Sequence, residues 1–239
     1  MNKQSNSYTI IYAVGLVLIV GFALSAIYQA LKPTQQENIA NDTKSQILKA
    51  SLIPVKEGEN VGEVFEQHVR EAYIVDYNGN IINKNPEDAF KATLSLSQEI
   101  KKKENERKLP VFVCNTDNGE KYIIPVYGQG LWGPIWGYVA FNSNGNTIYG
   151  AYFAHQGETP GLGAEIEKPE FSGQFKDKDV FNHNKFESVA VVKNGQEPAS
   201  GSFVHSISGA TITSQAVGKM LVESLKPYEK FLEKLRGQS

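Results

Sequence analysis

Leu109-Pro110-Val111-Phe112-Val113-Cys114-Asn115, then Lys121-Tyr122-Ile123-Ile124-Pro125-Val126-Tyr127, then Ile135-Trp136-Gly137-Tyr138-Val139-Ala140-Phe141: these three runs decide the fold. Each is rich in β-branched and aromatic residues, which suit a pleated, half-buried surface. Between them lie Asp117-Asn118-Gly119 and Gly128-Gln129-Gly130, compositions that reverse a chain. Asn142 to Asn146 reads as the next turn and Thr147 to His155 as a further strand. Strands joined by such short turns pair antiparallel, because parallel pairs need long crossovers.

Working outward, Ala72 to Tyr77 reads as a strand, Asn78-Gly79-Asn80 as a hairpin turn, and Ile81-Ile82 as the returning strand. Val61 to Arg70 suits a short helix. Residues 85–108 are charged and helix-prone, with apolar Phe90, Leu94, Leu96 and Ile100. The mixed-sign run Lys101 to Lys108 reads as a solvated face. On the other side, Phe186 to Lys193 is expected as a strand with Asn194-Gly195 as its hairpin turn. Helices are expected from Ser214 to Leu225 and from Tyr228 to Arg236. Leu221, Leu225, Phe231, Leu232 and Leu235 form their apolar face. The class is α+β: one antiparallel-sheet-rich domain with C-terminal helices.

Nothing from Tyr8 to Leu31 is charged, and Ile10 to Leu24 is apolar almost throughout. A bilayer core needs about 20 such residues as a helix. A signal peptide has a shorter apolar region and a small-residue cleavage site, and Ser25-Ala26-Ile27 matches that poorly. Tyr8, Tyr12 and Tyr28 lie near the ends, where interfacial aromatics sit. Pro33 is expected to break the helix, with a polar, helix-compatible stalk running on to Pro54. The expected organisation is a cytoplasmic tail over 1–7, a transmembrane helix over 8–31, a stalk and the start of the outer domain over 32–108, and the main domain over 109–239. Lys3 before the span and Lys32, Glu37 and Asp42 after it give only a slight positive-inside bias.

The 239 residues carry a formal net charge of −2, so there is no basic footprint for nucleic acid. The single cysteine, Cys114, rules out a Cys-ligated cluster or zinc ribbon within the chain. The four histidines have no metal-ligand spacing.

Three segments carry chemistry. Ser208-Gly209-Ala210-Thr211-Ile212-Thr213-Ser214 packs small residues and hydroxyls just before a helix, whose unpaired first N–H groups suit a phosphate. The plain alternative is that Thr213 or Ser214 is an ordinary N-cap. Gly157-Glu158-Thr159-Pro160-Gly161-Leu162-Gly163 is either a Pro-Gly turn or a place where Gly161 and Gly163 make room for a flat ring. It matches neither a dinucleotide fingerprint nor a P-loop. Gly130-Leu131-Trp132, followed by Trp136, is either a buried aromatic pair or a wall for a planar ligand.

In this order and spacing, Gly130-Leu131-Trp132, Gly157 to Gly163 and Ser208-Gly209-Ala210-Thr211 resemble the FMN-binding domain shared by two kinds of membrane-complex component. These are the C subunit of the sodium-translocating NADH:quinone reductase and the G subunit of the related Rnf complex. The similarity spans the anchor and roughly residues 109–225. The block at 85–108 and the chain length look more like the sodium-pump component.

The resemblance implies FMN attached through its phosphate to Thr211 by a flavin transferase acting outside the cytoplasm. It implies a redox carrier in the bacterial inner membrane, working with the other subunits and with no NADH site of its own. It places Ser208, Gly209 and Ala210 around the phosphate. Glu158, Thr159, Gly161, Leu162 and Gly163 would hold the isoalloxazine, with Trp132 as an aromatic wall and Lys193 near the ring. One departure stands out. Where the family's attachment signal usually has an acidic residue, this chain has His205. The alternative from another class is an anchored binding or sensor domain without flavin.

Overall fold

The computed structural model of the chain describes residues 6–237. Most of the tail expected over 1–7 therefore lies outside the described residues. The chain divides into two units, Met1–Thr43 and Lys44–Ser239.

Helix α1 spans Asn6–Ala50 and contributes to both units. Its N-terminal part is long and apolar enough to cross a membrane, and its most apolar stretch is not buried. The expected break at Pro33 does not occur: Pro33 lies inside the helix. A proline removes one ladder bond. Helix formers on both sides, Ala30-Leu31-Lys32 before it and Gln35-Gln36-Glu37 after it, carry the helix past that gap.

The second unit is built on a six-stranded antiparallel sheet in the order β2-β1-β3-β4-β5-β6. Its strands are β1 (Val69–Val75), β2 (Ile81–Asn83), β3 (Leu109–Thr116), β4 (Gly119–Gln129), β5 (Pro134–Asn142) and β6 (Ile148–His155). The turns expected from Asn78-Gly79-Asn80, Asp117-Asn118-Gly119 and Asn142 to Asn146 all join neighbouring strands.

Successive side chains of a strand face opposite sides, and both faces of this sheet are covered. Tyr73, Val75, Val111, Val113, Val139 and Phe141 belong to one core. Ala72, Ile74, Phe112, Cys114 and Ala140 belong to the other. The first core is closed by α6 (Thr211–Leu225), α7 (Glu229–Arg236) and the ring cluster Phe153, Phe171 and Phe175. Phe171 comes from α5 (Pro169–Ser172). The second core is closed by the last turns of α1, through Ile47, Leu48 and Ala50, and by α3 (Pro86–Leu94), through Ala89 and Ala92. Helices α2 (Val61–His68) and α4 (Leu96–Glu99) complete the region before the main strands.

The last turns of α1 are thus core, not stalk. The helix closes with Leu52 N–H donating to Lys49 O and Ile53 N–H to Leu48 O, both at 3.0 Å. This paired pattern places Leu52 at φ +57°, a position glycine usually fills. Gly150 of β6 admits the close approach, since a Cβ there would lie 2.4 Å from Ala50 O.

The C-terminal half departs from expectation. The strand expected over Phe186 to Lys193 splits at Ser188, whose φ of +64° breaks extended geometry. It becomes β8 (Lys185–Phe186), paired with β7 (Phe181–Asn182), and β9 (Val189–Val192). Asn194-Gly195 turns the chain, but not into a hairpin. The partner of β9 is β10 (Ser202–His205), and the two run parallel. Residues 193–201 make the longer return that a parallel pair requires.

Candidate cofactor site

Three loops meet at the start of α6, held by one buried carboxylate. Glu158 is 4% exposed. Its Oε1 accepts from Trp132 N–H at 2.9 Å, and its Oε2 accepts from Thr213 Oγ1 at 2.7 Å. Its own N–H donates to His155 Nδ1 at 3.1 Å. A buried carboxyl group is costly unless paired, and here both oxygens are used. Two glycines leave the space it occupies. A Cβ on Gly130 would lie 2.5 Å from Oε1, and one on Gly163 would lie 2.4 Å from Oε2. Gly163 therefore makes room for the carboxylate. Gly161, at φ +74°, has nothing within 4 Å of a built Cβ and stands open.

The approach to α6 is a tight turn. Ala210 N–H donates to Ile207 O at 3.0 Å, with Gly209 third in the turn at φ +80°, a conformation glycine takes at little cost. A Cβ on Gly209 would meet Leu162 Cδ2 at 2.9 Å, so the Pro160-Gly161 loop packs against this turn. Asn194 Nδ2 donates to Ser208 Oγ at 3.2 Å, which draws the turn after the exposed Lys193 to the same place.

The helix begins at Thr211. Its N-cap is Ala210, which has no side chain to give. The capping alternative is therefore set aside. Thr213 Oγ1 is committed to Glu158. Ser214 Oγ donates to Ala210 O at 2.9 Å and accepts from Ile207 N–H at 3.0 Å. The first-turn N–H groups, which carry the positive end of the helix dipole, have no side-chain partner among the described residues. Thr211 is half-buried at their edge, and its hydroxyl has no hydrogen bond among the described residues.

Around this point the surface is apolar. Leu131, Trp132, Leu162 and Ile212 are all exposed, Trp132 by 69%. The two tryptophans do not form a buried pair. Trp136 is half-buried on β5 and donates its Nε1–H to Gln46 Oε1 at 3.0 Å.

Of the residues expected from sequence, Trp132, Glu158, Leu162, Gly163 and Gly209 are joined here by direct contact, and Ser208 and Ala210 lie in the turn leading to Thr211. Thr159 is exposed, and its carbonyl accepts from Leu162 and Ala164 N–H at 3.1 Å, shaping the loop. Sequence reasoning missed the role of Thr213 and of Gly130. Neither carries a local signal, since Thr213 and Glu158 are 55 positions apart. His205, at the end of β10, is exposed, with its N–H donating to Gln174 Oε1 at 2.9 Å.

Such an arrangement can hold a phosphate ester on the Thr211 hydroxyl against free N–H donors, with an apolar ring against Leu162 and Trp132. Comparison with known proteins shows which domain these loops belong to. The FMN-binding domain family matches residues 130–226, which include all three loops. The C subunit of the Na(+)-translocating NADH-quinone reductase of Vibrio vulnificus is 35% identical over 90% of this chain and 89% of its own length. That of Pseudomonas aeruginosa is 29% identical over 92% and 91%. The crystal structure of the same component from Parabacteroides distasonis superposes with a TM-score of 0.76 at 44% identity, over 84% of this chain and 96% of that one. The Shewanella oneidensis NqrC structure gives 0.66 at 25% identity, over 83% and 98%. This chain belongs to the family of Na(+)-translocating NADH-quinone reductase C subunits, with an FMN-binding domain behind an N-terminal apolar helix.

Proposed function

We propose that the chain is the FMN-carrying electron-transfer subunit of a sodium-translocating NADH-quinone reductase, with FMN held by a phosphoester on Thr211. The observation that carries this reading is the contrast on the first turn of α6. Thr213 and Ser214 spend their hydroxyls inside the protein, while Thr211's hydroxyl, beside N–H groups without a side-chain cap, has no partner among the described residues. FMN, when bound, supplies the redox chemistry, and the protein supplies position and electrostatics. The Gly209 turn and the helix dipole hold the phosphate end. Thr159, Gly161 and Leu162 form one side of the ring's seat, and Trp132 stands at its edge. Lys193, on the turn beside Ser208, favours negative charge on the ring. Similarity to the named sodium-pump chains over nine-tenths of the sequence favours that complex over an Rnf-type assembly.

We place residues 8–31 across the inner membrane as a single pass, residues 1–7 in the cytoplasm, and the rest of the chain on the periplasmic side. The other subunits of the reductase, the lipid bilayer and a flavin transferase are the partners that this reading requires. The test is mass spectrometry of the tryptic fragment bounded by Lys193 and Lys219, from chain made together with a flavin transferase. The reading predicts one FMN on that fragment, with fragmentation placing it on Thr211. An unmodified fragment, or FMN on Ser208, contradicts it.

A further inference from the structure

We infer that Glu158 is the positioning residue of the flavin seat: it touches no ring itself but fixes the Trp132 loop against the first turn of α6. This rests on the reading that Thr211 carries FMN. The carboxylate is buried, and its two oxygens face two different segments of chain. The bond from Trp132 N–H, at 2.9 Å, is the only hydrogen bond between the exposed loop 130–133 and the 157–163 loop among the described residues. Thr213 lies two residues after Thr211 on a regular helix, so its bond to Oε2 fixes the turn from which Thr211 projects. Gly130 and Gly163 admit the carboxylate between these segments, where any Cβ would strike an oxygen. The exposed apolar side chains Trp132 and Leu162 thus stand on loops whose spacing is set from beneath by a single group. Losing it frees one wall of the seat while Thr211 and its attachment stay intact.

The experiment uses the full chain made with a flavin transferase, as parent, Glu158→Gln, Glu158→Ala and Thr213→Val. Three quantities are read: exchange of the Trp132 amide hydrogen, and the visible circular dichroism and the fluorescence anisotropy of the bound flavin. In Glu158→Ala the Trp132 amide should exchange about ten- to a hundredfold faster, as expected for loss of a bond to a charged acceptor. The flavin should remain attached but lose most of its dichroism and anisotropy. Glu158→Gln, which can still accept from Trp132 N–H, should restore part of all three. Thr213→Val keeps the shape of the side chain and should loosen the flavin with less effect on the Trp132 amide. A folded Glu158→Ala chain with parental flavin signals overturns the proposal, as does a Trp132 amide that exchanges at the parental rate. A parent chain without flavin sinks the Thr211 reading instead, and the Trp132 amide then decides alone whether the carboxylate ties the loops.

Discussion

The first turn of α6 has an inner side and an outer side, and they are built on opposite terms. Inside, Glu158, Thr213, Ser214 and Gly163 are buried, and the polar groups among them are bonded to the protein. Outside, Thr211, Ile212, Leu162 and Trp132 stand at the surface, with apolar side chains and a hydroxyl that has no partner among the described residues. The lesson is that hydroxyls alone do not mark a site. Thr211 and Thr213 are the same residue type two positions apart, and only the one the fold leaves unused is available to a ligand. Inner residues should therefore govern stability, and outer ones cofactor.

The sharpest way to break that division is Thr211→Ala, which should abolish covalent flavin while leaving stability within about 0.5 kcal/mol, as usual for a surface change. Thermal melts of flavin-free protein check the second half. Next is Glu158→Ala, which strands the Trp132 N–H and the buried Thr213 hydroxyl and should cost about 3 kcal/mol by denaturant titration. A loss below about 1 kcal/mol would place Glu158 on the outer side of the comparison. Third come two glycines of one motif. Gly163→Ala drives a methyl against Glu158 Oε2 and should cost about 2 kcal/mol. Gly161→Ala has open space and only its positive φ to oppose it, so about 1 kcal/mol is expected. Equal costs would erase the distinction between the two sides.

The smallest effect lies deeper in the core. Burial raises the Cys114 thiol to about 11 from an ordinary 9.0. The unfolded chain then ionises first, so this stability is complete below pH 9 and is lost as the pH climbs toward 11. Between about pH 8 and 10 the loss should be about 1 kcal/mol, and a Cys114→Ala chain should not show that part of the slope.

Much of the fold is legible in the sequence for identifiable reasons. The main strands and their turns depend on local composition, and Asn78-Gly79-Asn80 and Asp117-Asn118-Gly119 join strands as their residues imply. The three motifs can be recognised because each is contiguous. What local reading misses is non-local. Pro33 reads as a helix stop, yet its flanks sustain the helix. Asn194-Gly195 reads as a hairpin turn, but β10 returns parallel, and no dipeptide encodes that choice. The part played by Glu158 is hidden because its partners lie 26 and 55 positions away. A glycine-rich motif suggests space for a ring, yet the space at Gly163 is filled by the protein's own carboxylate.

On the reading proposed above, Thr211, and not its neighbour, carries the flavin. The most direct measurement is flavin fluorescence on a denaturing gel of chain made with a flavin transferase, run for the parent, Thr211→Ala and Thr213→Val. A fluorescent band is expected for the parent and for Thr213→Val, and a dark band for Thr211→Ala. Fluorescence that survives Thr211→Ala, or disappears only with Thr213→Val, would contradict it.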